Sequence, residues 1–283
     1  MALTTTVDVA NEMEKYWSPL TFDQLVQDNA IIGLVNSEYE GQIGNAGDVV
    51  YMSVVSPLTA SQQTIGVDAD TFDSQKIVTT RTALTCDQVF SASIEVTSWA
   101  ELQSLVKPSS DSRFRDLMTR AIADKMNSWL FSKVKAANDL SSKSTITTSE
   151  FRDARVFAGQ KKWPKDGNWY GLLDPTFWGD CLVDATLSSS LFVQDMPINT
   201  NVPFRNILGF KCAEENSLAA DHALFFHKDW LYLAIQQRPT FKVSDLHSQK
   251  KRGYLVTCDV VAGAVKNAYA GDNMHFKVVN SAW

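Results

Sequence analysis

Four histidines, four cysteines and a few closely spaced carboxylates are the residues of this chain best suited to do chemistry. His222 and His227 are the nearest histidine pair. At an odd spacing in a strand they would face opposite sides of a sheet, which is poor geometry for sharing a metal ion. His247 and His275 stand apart. Cys86, Cys181, Cys212 and Cys258 are widely separated and form no C-x-x-C pair, so buried free thiols are expected instead of a zinc site or a disulfide framework. Asp174 and Asp180 flank Trp178, and Glu214 adjoins Glu215. General acid–base work would need such pairs in a cleft that shifts their pKa values. Asp174 precedes Pro175 and reads more simply as a turn or helix N-cap residue. No G-x-G-x-x-G, Walker A, H-E-x-x-H or G-x-S-x-G pattern occurs. No catalytic, cofactor-binding or metal-ligating residue is therefore expected, and the chain does not read as an enzyme.

Two basic clusters remain, Gln249 to Tyr254 and Gly159 to Trp169. The second mixes lysines with Trp163 and Trp169, a combination that suits single-stranded nucleic acid. The formal net charge of -6 argues for solvated loops instead, and against a dedicated nucleic-acid-binding domain. A weak contact with DNA on one face is compatible with it. The 283 residues suit one large domain or two modest ones, and 45% hydrophobic against 20% charged residues can bury a sizeable core. The first 20 residues lack the basic start and apolar core of a signal peptide, and no apolar run approaches the roughly 18 residues of a membrane helix. The expectation is a protein made inside the cell, with no membrane partner. The eight tryptophans are spread along the chain, as core residues or as anchors at subunit contacts.

The elements that must position these residues follow from periodicity and punctuation. Residues 1 to 16 are polar and read as an arm. "WSPLTFDQLVQDNAIIGLVN" gives a short helix ending near Asn36. A Gly-punctuated bend leads to the strand candidate Val49 to Val55, and Ile77 to Ile94 is also β-prone. The polar stretch between them reads as the tip of a two-stranded ribbon. Phe114, Leu117, Met118, Ala121, Ile122, Met126, Trp129, Leu130 and Val134 recur at helical spacing, predicting a helix over about 111–137, with Lys133 and Lys135 in its last turn and Asn138 as its C-cap. Its length would be roughly 40 Å. Thr148 and Phe151 begin another helix; a strand ends at Asp174-Pro175 before a further helix; "FRNILGFKCAEEN", "HALFFHKDWLYLAIQQ" and the tail add strands of a compact α+β region.

A projecting ribbon would expose strand edges, which a monomer avoids but a lattice can use. This order of elements, and locally "NAIIGLVNSEYEGQIGNAGDVVYM" with its "VN-x-x-YEG" and "GD-x-V" patterns, resembles the major capsid proteins of tailed double-stranded DNA phages, which share the Hong Kong 97-type capsid fold. The resemblance implies an α+β chain with an N-terminal arm and short helix at 1–36, a hinge and extended β-ribbon loop at 37–85, and a peripheral domain with a spine helix at 86–147. An axial domain at 148–240 follows, and then C-terminal strands at 241–283 returning to both domains. It implies a coat protein that assembles with itself through pentamers and hexamers into the icosahedral shell around phage DNA, in the virion, after assembly in the host cytoplasm. Its functional residues would be contact residues: Tyr39, Glu40 and Asp48 at the hinge; Gly41, Gly44 and Gly47 giving the ribbon freedom to change angle; and Val49, Tyr51, Ile65, Phe72 and Arg81 along the ribbon.

The partners implied are a separate scaffolding protein, a portal, a decoration protein and weakly held packaged DNA. Lys76 is the one lysine of the ribbon, and without matching support no covalent crosslink is expected. The alternatives are an encapsulin-like nanocompartment shell, which shares the fold, and another phage structural protein of the tail or baseplate.

Overall fold

The computed structural model describes residues 30–39, 42–43, 49–55, 58–60, 62, 74–98, 102, 112–134, 139–140, 143–188, 205–267 and 272–280. Within them the chain is α+β, with two sheets, a separate ribbon and packed helices.

The larger sheet has six strands in the order β4-β11-β8-β5-β7-β6: β4 Asp139–Leu140, β5 Trp169–Leu173, β6 Arg205–Ile207, β7 Phe210–Glu214, β8 His222–His227 and β11 His275–Val279. Pairs β5/β7 and β4/β11 are parallel, the others antiparallel. Two helices cover one face. Thr147 caps α3 (Thr148–Gln160) through a capping box with Glu150. Asp174 caps α4 (Pro175–Val183), as its place before a proline predicted, accepting from the Phe177 and Thr176 amides at 3.1 Å each. A short helix, α5 (Ala185–Ser188), follows.

Beneath α3 and α4 lies an aromatic core of Phe151, Trp163, Trp169, Phe177, Phe210, Phe225 and Phe276. Trp163 and Trp169 of the basic loop thus belong to the interior, their indole N–H groups donating to the Asn273 and Pro164 carbonyls, while Lys161, Lys162 and Lys165 face solvent. Gly171 lets β5 approach its neighbours: a Cβ there would meet Cys212 Sγ at 2.9 Å and the Phe225 ring at 3.0 Å.

The second sheet has the order β3-β10-β9, with β3 Gln88–Thr97, β9 Leu231–Asp245 and β10 Gly253–Lys266. Its registers, Phe90↔Val260, Ala92↔Cys258 and Ile94↔Val256, put these six side chains on one face. Against that face packs α2 (Ser112–Phe131), through Met118, Ile122, Met126 and Leu130 spaced four apart. The same core takes in Leu172, Leu224, Phe226 and Trp230, joining the two sheets, together with Ile31 of α1 (Ala30–Leu34). Asn127 on the buried side of α2 donates to Glu215 Oε1 (3.1 Å) and to Ser217 Oγ, tying the helix to the turn after β7.

One expectation needs correction. The long helix stops at Phe131 instead of near 137, giving about 30 Å. The chain tightens there into i→i+3 bonds, Lys133 N to Leu130 O and Val134 N to Phe131 O at 3.0 Å each. Lys133 therefore lies past the helix, over the Trp129 ring at 5.0 Å, while Lys135 and Asn138 fall outside the described residues. The β-prone run Ile77 to Ile94 is two strands in different sheets, broken at Cys86 and Asp87, next to the 85/86 bound expected for the ribbon. In the sheet of β3, β9 runs unbroken past residue 240. Pro239 is tolerated inside it because the register shifts opposite Asp259 to Val261 open a bulge at that point.

Candidate functional site

The ribbon pairs β1 (Val49–Val55) with β2 (Thr79–Thr85) antiparallel, from Val49↔Thr85 to Val55↔Thr79. Period-two alternation gives it one anchored and one open face. Met52 and Leu84 are buried with Ile43 and Ala234, and Tyr39, Val50, Cys86, Tyr232 and Val265 pack around them. This small cluster is the root that fastens the ribbon to β9 and β10. The root is close: a Cβ on Gly263 of β10 would lie 1.9 Å from the Thr85 carbonyl oxygen. Only a glycine lets the backbone leaving the ribbon cross β10 there. Cys86 Sγ then donates to the Ala234 carbonyl at 3.6 Å.

Away from the root, apolar side chains face solvent: Tyr51 is 59% exposed, Val55 55%, Leu58 62%, Ile77 62% and Val78 52%. Arg81 lies over the Tyr51 ring at 5.0 Å, so these two expected contact residues stand together on one face. Past the last strand pair, the Gln75 side chain accepts from the Thr59 amide (3.0 Å) and donates to the Thr59 carbonyl (2.8 Å), continuing the ribbon with a side-chain rung.

The strap leading to the ribbon is held by a residue that spacing alone did not single out. Asn36 bridges β9 in parallel fashion: its amide donates to Leu231 O (3.1 Å), and the Leu233 amide donates to its carbonyl (2.8 Å). Its side chain donates to Asp229 Oδ1 (2.7 Å) and accepts from the Glu38 amide (2.9 Å). Tyr39, expected at the hinge, packs edge-on against Tyr232 with ring centroids 5.3 Å apart. Burial, aided by Asp229, Tyr39 and Glu38, pushes the Tyr232 hydroxyl up to about 12. The signal for Asn36 was its place in the "VN-x-x-YEG" string; Tyr232, Asp229 and Gly263 lie roughly 200 residues away in sequence and carried none.

Of the expected contact residues, Tyr39, Val49, Tyr51 and Arg81 are therefore placed at the root or on the open face of the ribbon. Glu40, Gly41, Gly44, Gly47, Asp48, Ile65 and Phe72 lie outside the described residues.

Chemistry has little foothold elsewhere. Among the described residues no three His, Cys, Asp or Glu side chains come together to hold a metal ion. Burial raises all four thiols, Cys181 to about 12, so none is a ready nucleophile at neutral pH. Cys86 is half-buried rather than buried as expected; the other three are interior. Asp174 is committed to capping, with the Asp221 amide as a third donor at 3.0 Å. No helix among the described residues is long and apolar enough to cross a membrane.

No protein-family model and no curated protein matches the sequence. Solved structures match along nearly the whole chain. A chain from Mycobacterium phage Che8 has a TM-score of 0.77 at 17% identity, covering 96% of this chain and 98% of its own. A chain from the capsid structure of cyanophage P-SCSP1u has a TM-score of 0.70 at 11% identity, with coverages of 96% and 94%. A chain from the mature capsid of bacteriophage PhiM1 has a TM-score of 0.67 at 9% identity, with coverages of 94% and 91%. The chain thus has the fold of chains solved from phages, two of them in capsid structures.

Proposed function

We propose that this chain is the major capsid protein of a tailed double-stranded DNA phage, with the Hong Kong 97-type fold, and that it assembles through pentamers and hexamers into the icosahedral head. The observation that carries this reading is the likeness, over more than nine-tenths of both chains, to the capsids of cyanophage P-SCSP1u and bacteriophage PhiM1. The ribbon supports it independently: a strand pair anchored at one end and bare of cover over Tyr51, Val55, Ile77 and Val78 is an arm suited to lie on a neighbouring copy.

In this reading α2 is the spine helix of the peripheral domain, with the three-stranded sheet beneath it. The six-stranded sheet with α3 and α4 is the body of the axial domain. The strap at 36–39 and the ribbon are the moving parts. A scaffolding protein, a portal and packaged DNA are the further partners, and the chain itself supplies no catalysis.

Negative-stain electron microscopy of the protein, expressed alone and then with its neighbouring phage genes, tests the proposal. Closed shells, tubes or sheets of hexamers are expected. A monomer or small oligomer under every condition would overturn it.

A further inference from the structure

The strap that leads to the ribbon rests on Asn36, and Asn36 rests on a buried histidine that the ribbon contacts do not use. His227 ends β8 with its side chain fully enclosed and both ring nitrogens engaged. Nδ1 accepts from the Asp229 amide at 3.1 Å, so the ring proton sits on Nε2, which donates to Asp166 Oδ1 at 3.1 Å. Asp166 is fixed in turn by the Asn168 amide and side chain. Asp229 points its other groups at the strap: Oδ1 accepts from Asn36 Nδ2 at 2.7 Å, and Oδ2 stands 3.7 Å from His227 Nδ1. A second proton on the ring would turn Nδ1 from acceptor to donor, face to face with the Asp229 N–H. The nearest group able to receive it is Asp229 Oδ2.

We propose that His227 is a proton-operated latch: neutral, it holds the 36–39 strap on β9; protonated, it pulls Asp229 off Asn36 and frees the strap. The proton taken up comes from solvent and no bond other than hydrogen bonds changes. The charged groups on the ring are Asp166 on the loop before β5 and Asp229 on its own turn, next to Lys228; beyond Asp229 stand Tyr232 on β9 and Glu38 on the strap. The Lys266–Asp272 pair adjoins the segment whose Met274 carbonyl receives the His227 amide. The latch stands on this geometry; its use in setting the ribbon angle rests on the capsid reading.

Hydrogen–deuterium exchange on the purified subunit, corrected for intrinsic rates, reads the latch without any shell being formed. Between about pH 7.5 and pH 5, protection of the Asn36, Glu38 and Leu233 amides is expected to fall about tenfold, while amides of β8 and β11 keep theirs. His227→Gln removes the titrating group and flattens the profile. Asp229→Asn keeps an acceptor for Asn36 but removes the pulling charge, and flattens it too. Constant protection in the wild-type protein overturns the proposal, as does a fall spread evenly over β8, β9 and β11, or the same fall in both variants. Shell formation unaffected by His227→Gln, with the exchange result as expected, would leave the latch standing and remove its role in assembly.

Discussion

Short polar side chains close several element ends, and their removal has a measurable consequence. Asp174 is fully buried and accepts from three amides, at 176, 177 and 221. Asp174→Ala leaves those donors without a partner and is expected to cost about 2–3 kcal/mol, read as a lowered urea midpoint with unchanged slope. Glu150, Asp166 and Asp184 are all held down to about 2. Burial opposes this at Glu150 and Asp166, but it is outweighed by bonds from Thr147, Lys143 and Ser149 in the first case and from Asn168 and His227 in the second; at Asp184 the Thr186 hydroxyl leads.

The folded values lie below the unfolded ones near 4, so the stability these groups give is complete above about pH 4. It is lost as the pH falls through about 2. An acid titration followed by circular dichroism should show the six-stranded sheet failing in that window, and Glu150→Gln should make the loss shallower there. Asp174 was legible beforehand, because an Asp before Pro has one common use. Asn36 was visible only as a letter in a family-like string: what it does depends on Asp229 and Leu231, which fold onto it from the far half of the chain.

Elements were legible where one neighbour decided them. Val49–Val55, the strand before Asp174 and the helix after it follow from alternation and capping. Neither Gly nor Pro marks the split of Ile77 to Ile94, and the bound at 85/86 came from the family resemblance and not from local pattern. The break exists because Thr85 and Cys86 must cross β10 at Gly263. Gly263→Ala puts a carbon into the Thr85 carbonyl, and the expected result is release of the ribbon root, seen as faster proteolysis and amide exchange within 79–85 while α2 keeps its protection. Gly33→Ala, where a Cβ meets nothing within 4 Å, is the matching control and should leave both unchanged. Within α2, Met126→Ala opens a hole in the core shared by both sheets and should cost about 2–5 kcal/mol by denaturant titration.

At the scale of the whole molecule, the capsid proposal gives the exposed ribbon face a part in assembly and none in folding. Tyr51 and Val55 are more than half exposed, so replacing both by Ser should move the subunit's stability by no more than about 0.5 kcal/mol per site. The same double variant should fail to form shells in the electron microscope, because each copy loses apolar area that only a neighbour can cover. Shells of normal yield and size would show that the ribbon face is not an interface.

The arrangement of the three-stranded sheet also sets a clock. Its middle strand, β10, joins β3 across a wide gap in sequence, as in the register Leu255↔Glu95. The ribbon root lies on that same strand, at Gly263 and Val265. A chain emerging from the ribosome makes the ribbon's residues early but cannot seat them until β10 is out, and such long-range pairing is slow to form. If the capsid proposal holds, a nascent copy has no fixed arm to offer its neighbours, and joining a shell is postponed until synthesis has passed residue 265.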